Sequence, residues 1–122
     1  MQERISDAEL AVMEVLWTQA PLTATDVAAR VAATKDWSLA TVKTLLSRLS
    51  AKAAIAYHAE GRKFFYTPLV AREDYVSGES RRLVDRLFGG KFMPLVAHLA
   101  EQEKLSNEDI SEIEKLLREM KS

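Results

Sequence analysis

The chain has 122 residues, 48% of them hydrophobic and 29% charged, with a formal net charge of −1. That balance suits one small folded unit, or such a unit with an appended arm, and excludes wholesale disorder and unselective coating of a polyanion. There is no cysteine, so neither a disulfide framework nor a thiolate metal site is available.

No apolar run approaches membrane-spanning length, and Met1-Gln2-Glu3-Arg4 lacks a signal-peptide pattern, so the expected address is the cytoplasm. The first element is announced by Ser6-Asp7-Ala8-Glu9, a capping box with Ser6 as cap and Glu9 three residues on. Leu10, Met13, Leu16 and Trp17 then share a face, which predicts a helix from about Asp7 to Gln19. After Pro21, Thr23 and Asp26 form a second N-terminal signature, and Val27-Ala28-Ala29-Arg30-Val31-Ala32 predicts a short, Ala-rich second helix.

A loop through Lys35 and Asp36 leads to the most informative stretch, Trp37 to Lys63. Ser38 is a good N-cap, and Val42, Leu45, Leu46 and Leu49 recur at helical spacing, so they form one buried face. Ala40, Thr44, Ser47, Arg48 and Ala51 fall on the opposite face, which is polar, mostly small and free of acids. Small residues let a helix backbone approach base edges; Thr and Ala can touch a thymine methyl, and Arg can bond guanine twice. Lys43 and Lys52 flank that face within expected reach of phosphates. Across the stretch the cations are Lys43, Arg48, Lys52, Arg62 and Lys63, and the only acid is Glu60. An ordinary amphipathic helix with a solvated face fits this helix equally well when it is taken alone.

After Lys52 the β-formers Ile55, Tyr57, Phe64, Phe65 and Tyr66 surround the turn Glu60-Gly61-Arg62-Lys63, which predicts a hairpin with a basic tip, ended by Pro68. Three short helices followed by such a wing make a winged helix-turn-helix. The aromatics of so short a hairpin are expected to pack against the helices, not to stack on bases. From about Ala71 the composition turns to helices: Tyr75 to Phe88, broken by Gly89-Gly90, then Phe92 to Leu99, then a third from Ser106 to Lys121. Their apolar residues, Tyr75, Leu83, Leu87, Phe88, Phe92, Leu95, Leu99, Ile110, Ile113 and Leu117, are too many for free-standing helices, which are marginal alone. Burial against a second copy is the expectation, with packing onto the first domain as the monomeric alternative. The expected division is 1–70, DNA-binding, and 71–122, dimerisation.

The chain resembles the penicillinase-repressor family, the BlaI/MecI/CopY group of bacterial winged-helix repressors. The residues that carry the resemblance are Ile5-Ser6-Asp7-Ala8-Glu9, Val12-Met13-Glu14-Val15-Leu16-Trp17, Pro21-Leu22-Thr23-Ala24, Trp37-Ser38, Thr41 to Leu49, Gly61-Arg62 and Tyr66-Thr67-Pro68-Leu69-Val70, with looser matches at Leu87-Phe88-Gly89-Gly90 and Leu95-Val96. The resemblance implies a homodimer on a palindromic double-stranded DNA operator. The third helix would enter the major groove and the wing would touch the backbone. In the β-lactam branch a membrane metalloprotease sensor triggers cleavage within the dimerisation helices; the aligned bond here is His98-Leu99, where those relatives have Asn-Phe. The cysteine-rich tail of the copper branch has no counterpart. Ala53 stands where the family usually has glycine, so a different local turn is expected there.

On this reading the DNA-binding residues are Thr41, Thr44, Ser47 and Arg48, which meet base edges or nearby phosphates, Lys43, Arg62 and Lys63, which hold phosphates, and Trp37 and Ser38 at the helix entrance, where Trp37 approaches the backbone with packing as its default role. Neither cofactor nor metal is expected, and no enzyme: the two histidines, His58 and His98, lack a metal-ligand spacing. The alternative is a winged-helix protein-interaction module without direct DNA binding, against which the acid-free helix face speaks.

Overall fold

In the computed structural model, which describes residues 4–102 and 105–121, the order is α1 Asp7–Thr18, α2 Ala24–Val31, α3 Leu39–Ala51, β1 Ile55–Glu60, β2 Lys63–Pro68, α4 Arg72–Phe88, α5 Met93–Glu101 and α6 Asn107–Lys121. Residues Met1-Gln2-Glu3, considered above for a leader pattern, lie outside the described residues. Two compact units result, Met1–Tyr75 and Val76–Ser122.

The first unit is built from three capped helices. Ser6 and Glu9 close the capping box of α1, with Glu9 N–H donating to Ser6 Oγ at 3.1 Å and Ser6 N–H donating to Glu9 Oε1 at 2.8 Å. Thr23 and Asp26 do the same for α2, and Ser38 caps α3 by accepting from Thr41 N–H at 3.1 Å. The helices converge on one core: Val12, Met13 and Leu16 from α1, Val27 and Val31 from α2, and Val42, Leu45, Leu46 and Leu49 from α3, closed by Ala54 and Ile55. Burying each larger side chain stabilises by roughly 1.5–3 kcal/mol before the entropy of ordering is counted. The predicted face of α1 is rotated slightly: Val12 is fully buried, while Leu10 and Trp17 are half-buried at the core's edge.

Glu9 is 1% exposed and would be costly there without a partner. Lys52 supplies it, with Nζ 2.6 Å from Glu9 Oε1 and 2.8 Å from the Arg4 carbonyl. Burial alone would raise the Glu9 carboxyl; the Lys52 ammonium and the Ser6 bonds outweigh it and hold the pKa below the ordinary value. This corrects the expectation that Lys52 reaches phosphates, because its ammonium is committed to tying the end of α3 to the start of α1.

The end of α3 is a second correction. Ala54 N–H donates to Leu49 C=O and Ala53 N–H to Ser50 C=O, both at 3.0 Å, which is the bonding of a Schellman motif. The motif requires a left-handed residue, and Ala53 takes it at φ 60°. The turn expected to differ is therefore the ordinary glycine turn, occupied by alanine. It persists because Ala54 and Ile55, immediately after it, are locked in the core. Ala53→Gly is expected to raise the unfolding free energy by about 1 kcal/mol, read as a shift of the urea midpoint at constant slope. A lower midpoint would show that Ala53 is not strained.

The strands form an antiparallel hairpin with register Ile55↔Pro68 through Glu60↔Lys63. Its two-residue connection, Gly61-Arg62, has Gly61 at φ 62°, the conformation a tight hairpin asks of its first loop residue. Leu22 adds a bridge on the other edge of β2, exchanging backbone bonds with Tyr66 at 2.8 and 3.2 Å. Three helices and this sheet make a winged helix-turn-helix. Tyr75, expected in the dimerisation set, belongs to this unit: its ring is 5.7 Å from that of Trp17, whose indole N–H donates to Val70 C=O at 2.8 Å.

The second unit carries the rest of α4 with α5 and α6, and none of these helices has a buried residue. Gly89 and Gly90 end α4 at φ 59° and 86°. Ser106 and Asp109 cap α6 reciprocally at 3.0 Å. Leu83, Leu87, Phe92, Ile110 and Leu117 are exposed, Phe92 to 63% and Leu87 to 59%, while Phe88, Leu95, Leu99 and Ile113 are half-buried.

Candidate nucleic-acid interface

The buried stripe of α3 fixes which side of that helix faces outward. Because Val42, Leu45, Leu46 and Leu49 are all in the core, Thr41, Lys43, Thr44, Ser47 and Arg48 are all exposed. The small hydroxyls keep the backbone accessible. Thr44 Oγ1 donates to Ala40 C=O at 3.1 Å on the exposed side of the helix. Ser38 Oγ and Thr41 Oγ1 lie 3.1 Å apart at the helix start. Among the described residues, Lys43, Arg48 and Arg62 have no ion-pair partner, so their charge is available to a ligand.

The wing brings its tip beside this flank. Arg62 and Lys63 share with Lys43 a groove of about 360 Å³, whose other walls are Phe64 to Tyr66 and the first turn of α2. Three cations from α3 and the hairpin are thus collected in one concave strip, although the whole chain carries net charge −1. Positive charge gathered on one face is what attracts and orients a polyanionic backbone.

Trp37, expected at the helix entrance, packs on the core while keeping part of its surface exposed. Lys35 Nζ lies 5.8 Å from its ring centroid. Of the hairpin aromatics, Tyr66 is half-buried on the core, and its hydroxyl pKa is pushed up by burial and then by Tyr57; Tyr57 and Phe64 are exposed and meet edge to face with ring centroids 5.3 Å apart. His58 stacks on Phe65 and stands 3.5 Å from Glu60 across an exposed face.

The part of the site that sequence reasoning missed is the first turn of α2. Thr23 and Asp26 were legible as a helix start, but nothing local signals that Leu22 pairs with Tyr66 and so draws that turn to the wing. His98 and Leu99, the expected cleavage pair, lie in α5, His98 exposed and Leu99 half-buried.

The family profile described as penicillinase repressor matches residues 5–119. The chain belongs to the penicillinase repressor family. It is 37% identical over 119 residues to the penicillinase repressor of Bacillus licheniformis, covering 98% of this chain and 93% of that one. It is 32% identical over 113 residues to the methicillin resistance regulatory protein MecI of Staphylococcus aureus, covering 93% and 92%. The chain is also similar to the solution structure of the Bacillus licheniformis BlaI monomeric form in complex with the blaP half-operator. That likeness has a TM-score of 0.53 and 41% identity, over 62% of this chain and 92% of that one. The penicillinase repressor family is one of transcriptional repressors, and the winged-helix architecture here is that of its members. Among the described residues no helix is long and apolar enough to cross a membrane.

Proposed function

We propose that this repressor binds a palindromic double-stranded DNA operator as a homodimer, with α3 in the major groove and the hairpin on the adjoining backbone. The observation that carries the reading is the outward flank of α3: exposed, free of acids, with an unpaired Arg48 among small hydroxyls and three cations collected beside it. On this reading Arg48, Ser47, Thr44 and Thr41 reach base edges, Lys43, Arg62 and Lys63 hold phosphates, and Ser38 sets the helix start. A fluorescence anisotropy titration with DNA from upstream of the protein's own operon tests it. Operator DNA is expected to bind at least about 10³-fold tighter than a scrambled duplex of equal length. Equal affinity for the two would sink the reading and favour a protein-interaction module.

Lys63→Ala is expected to reduce the slope of log affinity against log salt by about one unit per half-site. An unchanged slope would remove the hairpin tip from the contacts.

The second unit supplies the reason for a dimer. Among the described residues none of its helices has a fully buried residue, and a second copy presents the same surface in a closed, two-fold arrangement. Two half-sites about one or two helical turns apart follow from that symmetry. We further propose release by proteolysis at His98-Leu99, with a membrane metalloprotease sensor as the partner that triggers it. A cut there separates α6, with Ile110, Ile113 and Leu117, from the DNA-binding unit. A nine-residue helix with no buried residue opens locally at low cost, which a protease requires.

A further inference from the structure

We infer that Asp26 attenuates DNA affinity: its carboxylate stands inside the cationic groove of Lys43, Arg62 and Lys63 and weakens the pull of that groove on a phosphate. The inference rests on the DNA-binding reading above and adds to it the one groove residue that opposes the phosphate contacts.

Asp26 lines the same groove as the three cations. Its position in the fold needs an acceptor and not a charge. The carboxylate accepts the Thr23 N–H at 3.3 Å, and the Asp26 N–H is satisfied by Thr23 Oγ at 3.1 Å. A neutral amide completes the same reciprocal cap. The contrast with Glu9 is informative. Glu9, at the equivalent position of α1, is buried and its charge is consumed by Lys52. Asp26 is exposed, with no ion pair within 4.0 Å among the described residues, so its charge acts outward into the groove.

That charge is present whenever the protein would meet DNA. The Thr23 backbone and side-chain bonds hold the carboxyl below its ordinary pKa, and Arg30 and Lys63 add to the effect. Lys63 already acts on the Asp26 carboxyl electrostatically, so a phosphate seated in the groove feels the acid together with the cations. Because every DNA sequence offers the same phosphates, the attenuation acts on operator and non-operator DNA alike. It therefore sets the overall affinity for DNA and leaves the ratio of operator to non-operator binding, and the reading of bases, unchanged.

The test uses the full chain carrying Asp26→Asn, with Asp26→Gln as a second neutral form and Asp26→Glu as the charge-preserving control. Anisotropy titrations are run on the upstream duplex and a scrambled duplex between 50 and 200 mM salt. Both neutral variants are expected to bind both duplexes more tightly, by roughly threefold per half-site at low salt. Their salt slopes should be steeper than wild type, while Asp26→Glu stays at wild-type affinity. Thermal melts confirm that each variant is folded. Unchanged or weaker binding by a folded neutral variant overturns the inference. So does tightening confined to the operator, or an Asp26→Glu that behaves as Asp26→Asn does. If the wild-type chain binds neither duplex, the DNA-binding reading falls and takes the attenuator with it, a result distinct from the others.

Discussion

Ile113→Glu should weaken operator binding by about 10²–10⁴-fold while leaving the DNA-binding unit folded. Ile113 lies on α6 between Ile110 and Leu117, at the spacing that puts all three on one face; Ile110 and Leu117 are exposed and Ile113 is only half-buried. A carboxylate placed in the middle of an apolar interface must be desolvated without a partner, so the dimer dissociates. The loss follows from linkage. While two units are tied, the second half-site is engaged at high effective concentration; once untied, each unit binds at its own modest affinity. Sedimentation of Ile113→Glu should show monomers, and a purified fragment ending at His98 should likewise be monomeric and match its affinity. A monomeric Ile113→Glu that still binds the operator at wild-type strength would break the link between the second unit and repression, and with it the logic of release by cleavage.

Arg48→Ala carries the second largest effect, a loss of about 1–3 kcal/mol per half-site with relaxed preference at one base pair. Its guanidinium is the only fork-shaped donor on the outward flank of α3, and it has no intramolecular partner to release among the described residues. The substitution therefore removes a contact made only with the ligand. Helix propensity favours alanine, so the fold is not weakened. Binding to a panel of duplexes, each altered at one base pair, reads the outcome. If Arg48→Ala loses the same factor on operator and random DNA, the residue holds phosphate and does not read bases.

The first unit was largely legible because its rules are local. Ser6 with Glu9, Thr23 with Asp26, and Ser38 each mark a helix start within three residues, and the α3 stripe Val42-Leu45-Leu46-Leu49 is the core face observed. Arrangements that depend on distant pairs were not legible. Lys52 looked like a phosphate ligand because its partner, Glu9, is 43 residues away and was visible only as half of a capping box. Tyr75 looked like interface because its helix continues into the second unit, while the Trp17 ring that covers it comes from the first helix. Ala53 was misjudged for the opposite reason. A local penalty of about 1 kcal/mol is small beside the burial of Ala54 and Ile55 that follows, so tertiary packing overrides it.

The outward flank of α3, with the hairpin tip beside it, is the surface proposed to meet the duplex. Backbone amide shifts of the isotope-labelled full chain, followed as upstream operator DNA is added, test it most directly. The largest changes are expected on Thr41, Lys43, Thr44, Ser47, Arg48, Arg62 and Lys63. Changes confined to α4, α5 and α6, with those seven residues unmoved, would contradict it.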